Sequence, residues 1–125
     1  MKSILLVSAD FKASVQLVKK VRRYGLDGYW VNTGRECLEI LESSELYAVL
    51  IDNSIIDING VILLELVIKL KPKINLIFVN SKQKPKIESQ ARQAGIIYYT
   101  TDMRDQEITR VISELATKHP QQYKM

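Results

Sequence analysis

A chain of 125 residues that is 46% hydrophobic and 26% charged is expected to form one globular domain, burying roughly two-thirds of its unfolded surface in a single core. Its one cysteine, Cys37, excludes an internal disulfide framework and a Cys-based zinc site, and its one histidine, His119, leaves no basis for His-rich metal chemistry or a Ser-His-Asp triad. The net charge of +4 is uneven, since residues 1–25 hold Lys2, Lys12, Lys19, Lys20, Arg22 and Arg23 against Asp10 alone; such a patch is a solvated helix face first, and an attraction for an acidic partner or nucleic acid second.

The opening "MKSILLVSAD" is basic and then apolar, but its apolar run is shorter than a signal-peptide core and no A-x-A site follows. It is taken as a first strand, Ser3–Val7, in a cytoplasmic protein; no run reaches the ~18 residues that would span a bilayer. From Phe11 to Tyr24, Phe11, Val15, Val18 and Val21 recur at helical spacing with Leu17 and Tyr24 beside them, and Gly25 supplies the stop. Contact with nucleic acid through this helix would be electrostatic and salt-sensitive, positioning without reading sequence. A second strand, Gly28–Val31, contains Trp30, assigned to packing. Thr33 and Glu36 then have capping-box spacing, opening a helix whose buried side is Cys37, Leu38 and Leu41; Cys37 reads as a small core residue.

The run "YAVLI", Tyr47–Ile51, is a third strand, and it ends in a carboxylate, Asp52. A helix from about Gly60 to Lys71 follows, then a strand Asn75–Val79. A fourth helix is expected from near Pro85, suited to a first turn, to Gly95. A fifth strand, Ile96–Thr100, and a fifth helix over about 105–118 complete the order, with Ile108, Val111, Ile112 and Leu115 facing in. Residues 119–125 read as a tail after a 1–118 domain. Strands alternating with helices imply parallel pairing by right-handed crossovers: an α/β, three-layer, doubly wound five-stranded parallel sheet. The working site of such a sheet lies at the C-terminal strand ends. No G-x-G-x-x-G or G-x-x-x-x-G-K follows the first strand, so a nucleotide- or flavin-dependent enzyme is not expected.

In order and spacing, "ILLVSAD", "NTGRECLEIL", "AVLIDNSIIDING", "NLIFVNSK" and "ARQAGIIYY" resemble, over essentially the whole chain, the receiver domains of bacterial two-component response regulators. The Asp52-to-Gly60 spacing is the most specific element. The resemblance implies the flavodoxin/CheY-like strand order 2-1-3-4-5, a role in phosphorelay signalling rather than enzymology, and transfer of a histidine kinase's phosphoryl group to Asp52. Charge on the transferring group then calls for Mg²⁺, held by oxygens: two acids after strand one, the phosphoacceptor and a backbone carbonyl, here that of Ser54. A Ser or Thr ends strand four and a Lys-Pro follows strand five.

This chain departs from that pattern. The acid pair aligns with Ser8 and Ala9; Asp10 comes next, and strand alternation and the turn point it away. The Ser/Thr place holds Asn80, and Thr101 or Asp102 stands opposite the lysine. The aromatic switch is Tyr98 or Tyr99. The expectation is a degenerate receiver, or pseudo-receiver, with Asp52 a vestigial phosphoacceptor held by backbone N–H groups, Ser8 or Asn80, and with no metal or other cofactor. It would act through a signalling partner or a homodimer, with no membrane and no nucleic-acid role. The alternatives are a phosphoacceptor completed by Mg²⁺ and Asp10 or a partner protein, and binding through the basic helix. The third helix is apolar nearly all round. With Val61, Leu64, Val67 and Ile68 serving the core, Ile62 and Leu66 are left outside below Ile55, Ile56 and Ile58, an interface candidate. Alternatively, the loop folds inward over the emptied acidic pocket.

Overall fold

The structure, a computed structural model, describes residues 2–117; the expected tail with His119, and the last residue of the fifth helix, lie outside them. The elements run β1 (Ser3–Val7), α1 (Phe11–Arg23), β2 (Asp27–Val31), α2 (Gly34–Ser43), β3 (Ala48–Asp52), α3 (Gly60–Leu70), β4 (Asn75–Val79), α4 (Ile87–Gln93), β5 (Tyr98–Thr100) and α5 (Gln106–Thr117). The five strands form one parallel sheet in the order β2-β1-β3-β4-β5, as the resemblance implies. Among the described residues no helix is long and apolar enough to cross a membrane.

Period-two alternation sorts the strand side chains into two layers. Ile4, Leu6, Leu50, Ile77 and Val79 pack with α1 and α5. Leu5, Val7, Val49, Ile51 and Phe78 pack with α2, α3 and α4. All ten are buried, which is why β1, β3 and β4 read as unbroken apolar runs.

The helix ends follow local chemistry. The Asp10 carboxylate accepts from Ala13 N at 3.1 Å and caps α1. Gly25 leaves the helix at φ 79°, where a side chain would strain the backbone. The Thr33–Glu36 capping box forms, Thr33 Oγ1 accepting from Glu36 N at 3.1 Å. Asn59 caps α3 by accepting from Val61 N and Ile62 N. Lys20, Arg22 and Arg23 sit in the last turn of α1, where cations complement the helix dipole, and Arg22 also donates to the Gly28 carbonyl.

Three sequence expectations are corrected. Phe11 is not core: it is 62% exposed and meets the edge of Trp30 at 5.3 Å between ring centroids, while Ala13 and Ser14 take the buried side of α1 with Leu17 and Val21. In α3 it is Leu63, beside Leu64 and Val67, that is fully buried, and Val61 is only partly covered. The fourth helix starts at Ile87 rather than near Pro85. Both amide groups of Asn80 bind the Lys84 backbone and close the preceding chain into a loop, and Lys86 turns left-handed at φ 66°.

Gly60 explains the glycine at a fixed distance from Asp52. A Cβ there would lie 2.8 Å from Asn53 Cβ and 3.2 Å from its Cα, so α3 starts against the backbone that follows β3. Although alanine is ordinarily the better helix residue, Gly60→Ala is expected to destabilise the fold by about 1–3 kcal/mol through overpacking. Urea unfolding followed by circular dichroism reads this; a variant as stable as wild type would remove the close-packing account.

Candidate functional site

Asp52 is the last residue of β3 and is wholly buried. Burying a carboxylate is costly without strong partners, and three serine hydroxyls from three loops provide them. Ser8 Oγ, after β1, donates to Oδ2 at 2.7 Å. Ser54 Oγ, two residues past Asp52, donates to the same oxygen at 2.6 Å. Ser81 Oγ, after β4, donates to Oδ1. The hydroxyls are themselves oriented, since Ser8 Oγ accepts from Asp10 N at 3.0 Å and Ser54 Oγ from Ala9 N at 2.9 Å.

Asn80 does not touch Asp52. Its Oδ1 accepts from Asn53 Nδ2 at 2.7 Å, and its Nδ2 donates to Tyr99 Oη at 3.0 Å. Alternation accounts for the division of labour. Asn53 and Asn80 continue the Ile51 and Phe78 side, toward α3 and α4. Ser8, Asp52 and Ser81 continue the Leu6, Leu50 and Val79 side. Ser81 was missed in the sequence, yet the signal was present: in "VNSK" the residue sharing Asp52's face is the one after Asn80.

The two tyrosines separate in the same way. Tyr99 stacks on Phe78 with centroids 6.5 Å apart, lies under the Arg92 guanidinium and receives the Asn80 amide. Tyr98 faces the α1/α5 layer and donates to Asp105 Oδ2 at 2.6 Å. The hydroxyls of Thr100 and Tyr98 hold the Asp105 carboxyl below its ordinary value, while burial, followed by the Asp105 contact, pushes the Tyr98 phenol up to about 12.

Several residues expected in the pocket stand outside it. Asp10 is occupied as the α1 cap and pairs with Arg104 at 3.3 Å. Thr101 and Asp102 are exposed, and Asp102 Oδ1 accepts from Arg104 N instead. The next residue, Met103, is buried in the α1/α5 layer. Ala9 contributes only its backbone N–H. Burial pushes the Cys37 thiol up to about 12, consistent with a core role.

The apolar loop divides. Ile55 is buried in the α2/α3/α4 layer and Ile58 packs partly against it, correcting their assignment to an exposed patch. Two backbone N–H groups at the start of α2, those of Gly34 and Arg35, donate to Asp57 at 2.9 and 3.0 Å and pull the loop down, seating Ile58 against Gly34. Desolvation would raise the Asp57 carboxyl, but the N–H groups of Gly34, Arg35, Asp57 and Ile58 outweigh it and hold the carboxyl low. Ile56, Ile62 and Leu66 remain exposed, at 94%, 52% and 37%.

The chain superposes on solved receiver domains over nearly all of its length. A CheY-like response regulator receiver domain protein from Methanospirillum hungatei matches with a TM-score of 0.75 and 26% identity, covering 92% of this chain and 96% of that one. The chain has the receiver-domain fold. A two-component response regulator from Clostridium difficile matches with a TM-score of 0.82 at 13% identity, covering 93% of this chain and 95% of its own. The receiver domain of a Pseudomonas aeruginosa sensor histidine kinase, with magnesium ion in its active site cleft, matches with a TM-score of 0.77 at 17% identity, covering 94% and 98%. Neither a protein-family model nor a curated protein matches the sequence.

The receiver fold implies Mg²⁺, and the residues present do not fit it. Mg²⁺ wants octahedral oxygen donors led by carboxylates. Here Asp52 supplies the lone carboxylate of the pocket, with both oxygens engaged by hydroxyls. Among the described residues no group of three or more His, Cys, Asp or Glu side chains stands close enough to hold a metal.

Removing a hydroxyl should strand the buried carboxylate. Ser54→Ala is expected to cost about 1–3 kcal/mol, whereas the exposed Thr101→Ala should stay within about 0.5 kcal/mol of wild type. Chemical denaturation of the two compares them directly, and equal stabilities would mean the cage is not holding Asp52. Asp105 supplies a pH signature. A folded value below the unfolded one stabilises fully above about pH 4, and the benefit is lost as pH falls through the folded value. Asp105→Asn should therefore flatten the acid limb of the stability curve; an unchanged limb would contradict the hydroxyl contacts.

Proposed function

We propose that this chain is a pseudo-receiver: a signalling module that acts through protein contacts without Mg²⁺-dependent phosphorylation of Asp52. The observation that carries the reading is the occupancy of Asp52. Oδ2 accepts from Ser8 and Ser54 and Oδ1 from Ser81, so the acid is already satisfied by neutral donors, and attack on a phosphorus atom competes with these contacts. Among the described residues no group of acidic or other metal-ligating side chains is assembled to hold a cation that would offset charge on the transferring group, the stabilisation that phosphoryl transfer depends on.

The Asn53–Asn80–Tyr99 ladder supports the same reading. Tyr99 is the ring that corresponds to the switch aromatic, and it is already tied inward by an amide, so its position does not await a phosphoryl group. The receiver fold supports signalling as the setting, with another signalling protein or a second copy as the partner.

Treatment with acetyl phosphate or phosphoramidate at millimolar Mg²⁺ is expected to leave the intact mass unchanged. A stoichiometric adduct that disappears in Asp52→Asn would overturn the proposal and make the chain a phosphorelay receiver.

A further inference from the structure

α3 carries more apolar surface than the sheet takes up. Leu63, Leu64 and Val67 face the core, while Ile62, Leu66 and Leu70 are 52%, 37% and 47% exposed. Their i, i+4, i+8 spacing makes one continuous stripe about 12 Å long at 1.5 Å per residue. At its lower end Leu70 joins Leu46, Pro72 and Ile74 in lining a groove of about 400 Å³. A wet apolar strip of this kind on a soluble domain marks a contact surface.

The charges beside the stripe say what covers it. Glu65 and Lys69 are both exposed and both lie on one flank of it, a turn apart. Neither forms an ion pair among the described residues, although i, i+4 pairs form elsewhere in the chain, as at Arg35–Glu39 and Arg92–Glu88. Consider two copies of α3 laid antiparallel about a two-fold axis at the level of Val67. The axis keeps like flanks together and reverses direction, so Glu65 of each copy stands level with Lys69 of the other. Leu66 then meets its own equivalent within about 3 Å along the axis, and Ile62 comes alongside Leu70 of the other copy with the same offset. Apolar stripe and charge pair are satisfied by the same symmetry, as an isologous contact requires.

We propose that the occupant of this face is a second copy of the chain, docked through an antiparallel α3–α3 contact. The proposal rests on the reading of this chain as a contact-driven signalling module and names the partner. Its test reads oligomeric state, which is independent of the phosphodonor measurement.

Sedimentation velocity over a concentration series should find a reversible dimer for the wild-type chain and a monomer for Leu66→Lys, with circular dichroism confirming that this exposed substitution leaves the fold intact. Glu65→Lys or Lys69→Glu alone places like charges opposite each other twice and should weaken the dimer several-fold. Mixing the two single variants brings opposite charges together again at both positions, and should restore association as a heterodimer. A wild-type chain that is monomeric at every concentration overturns the proposal. So does a dimer indifferent to Leu66→Lys, or one in which mixing the charge variants brings no recovery.

Discussion

The arrangement of the working end of this molecule depends on one buried carboxylate. Asp52 sits at the end of the central strand with no exposed surface, and an acid in that position must be given donors. Among the described residues its side-chain donors are three neutral hydroxyls. They come from the loops after β1, β3 and β4, so satisfying Asp52 also laces those three loops together. A buried polar network of this kind is stabilising only when complete, and two of its hydroxyls, those of Ser8 and Ser54, are themselves oriented by backbone N–H groups.

A second polar system crosses the sheet end beside the first without joining it. Asn53, Asn80 and Tyr99 form a ladder on the α3/α4 side, and the Lys82 and Lys84 backbone N–H groups attach the β4–α4 loop to it. Hydroxyl and amide are not equivalent at position 80. A hydroxyl carries one donor and little reach, whereas an amide presents two donors and an acceptor. Asn80 uses all of them, on Lys84, Tyr99 and Asn53. That explains both the closed loop and the late start of α4, and it leaves Ser81 to turn toward Asp52.

Much of the fold was legible because a doubly wound sheet writes itself in apolar runs separated by helical periodicity, and β1, β3 and β4 are each apolar at four of their five positions. The helix starts at Phe11 and Gly34 were legible too, since Asp10 and Thr33 are side chains that cap. What could not be read was anything set by a particular side-chain contact, whether distant in sequence or a few residues away. Asp57 pulls Ile58 onto Gly34 from 23 residues away, so a loop that looks uniformly greasy divides into a buried Ile55 and an exposed Ile56. Asn80 ties down Lys84, so Pro85 is not in a first turn. Family alignment pointed to Asn80 as the residue facing the acid; strand alternation alone would have pointed to Ser81.

The all-round apolarity of α3 is then best understood with the loop above it. The Asp57 tether and the close approach of Gly60 to Asn53 fix both the height and the rotation of this helix against the sheet. Leu63, Leu64 and Val67 fill the core, while Ile62, Leu66 and Leu70 lie on the neighbouring arc, centred about 100° round the helix, and stay partly exposed. A polar residue at any of the three would disturb the intramolecular packing less than one at Leu63, Leu64 or Val67, which are fully buried. Their exposed apolar area adds nothing to the packing of a single copy, and Glu65 and Lys69, which form no ion pair among the described residues, stand beside it. The buried cage and the outward stripe sit on adjoining elements, the cage at the end of β3 and the stripe on the α3 helix that follows it.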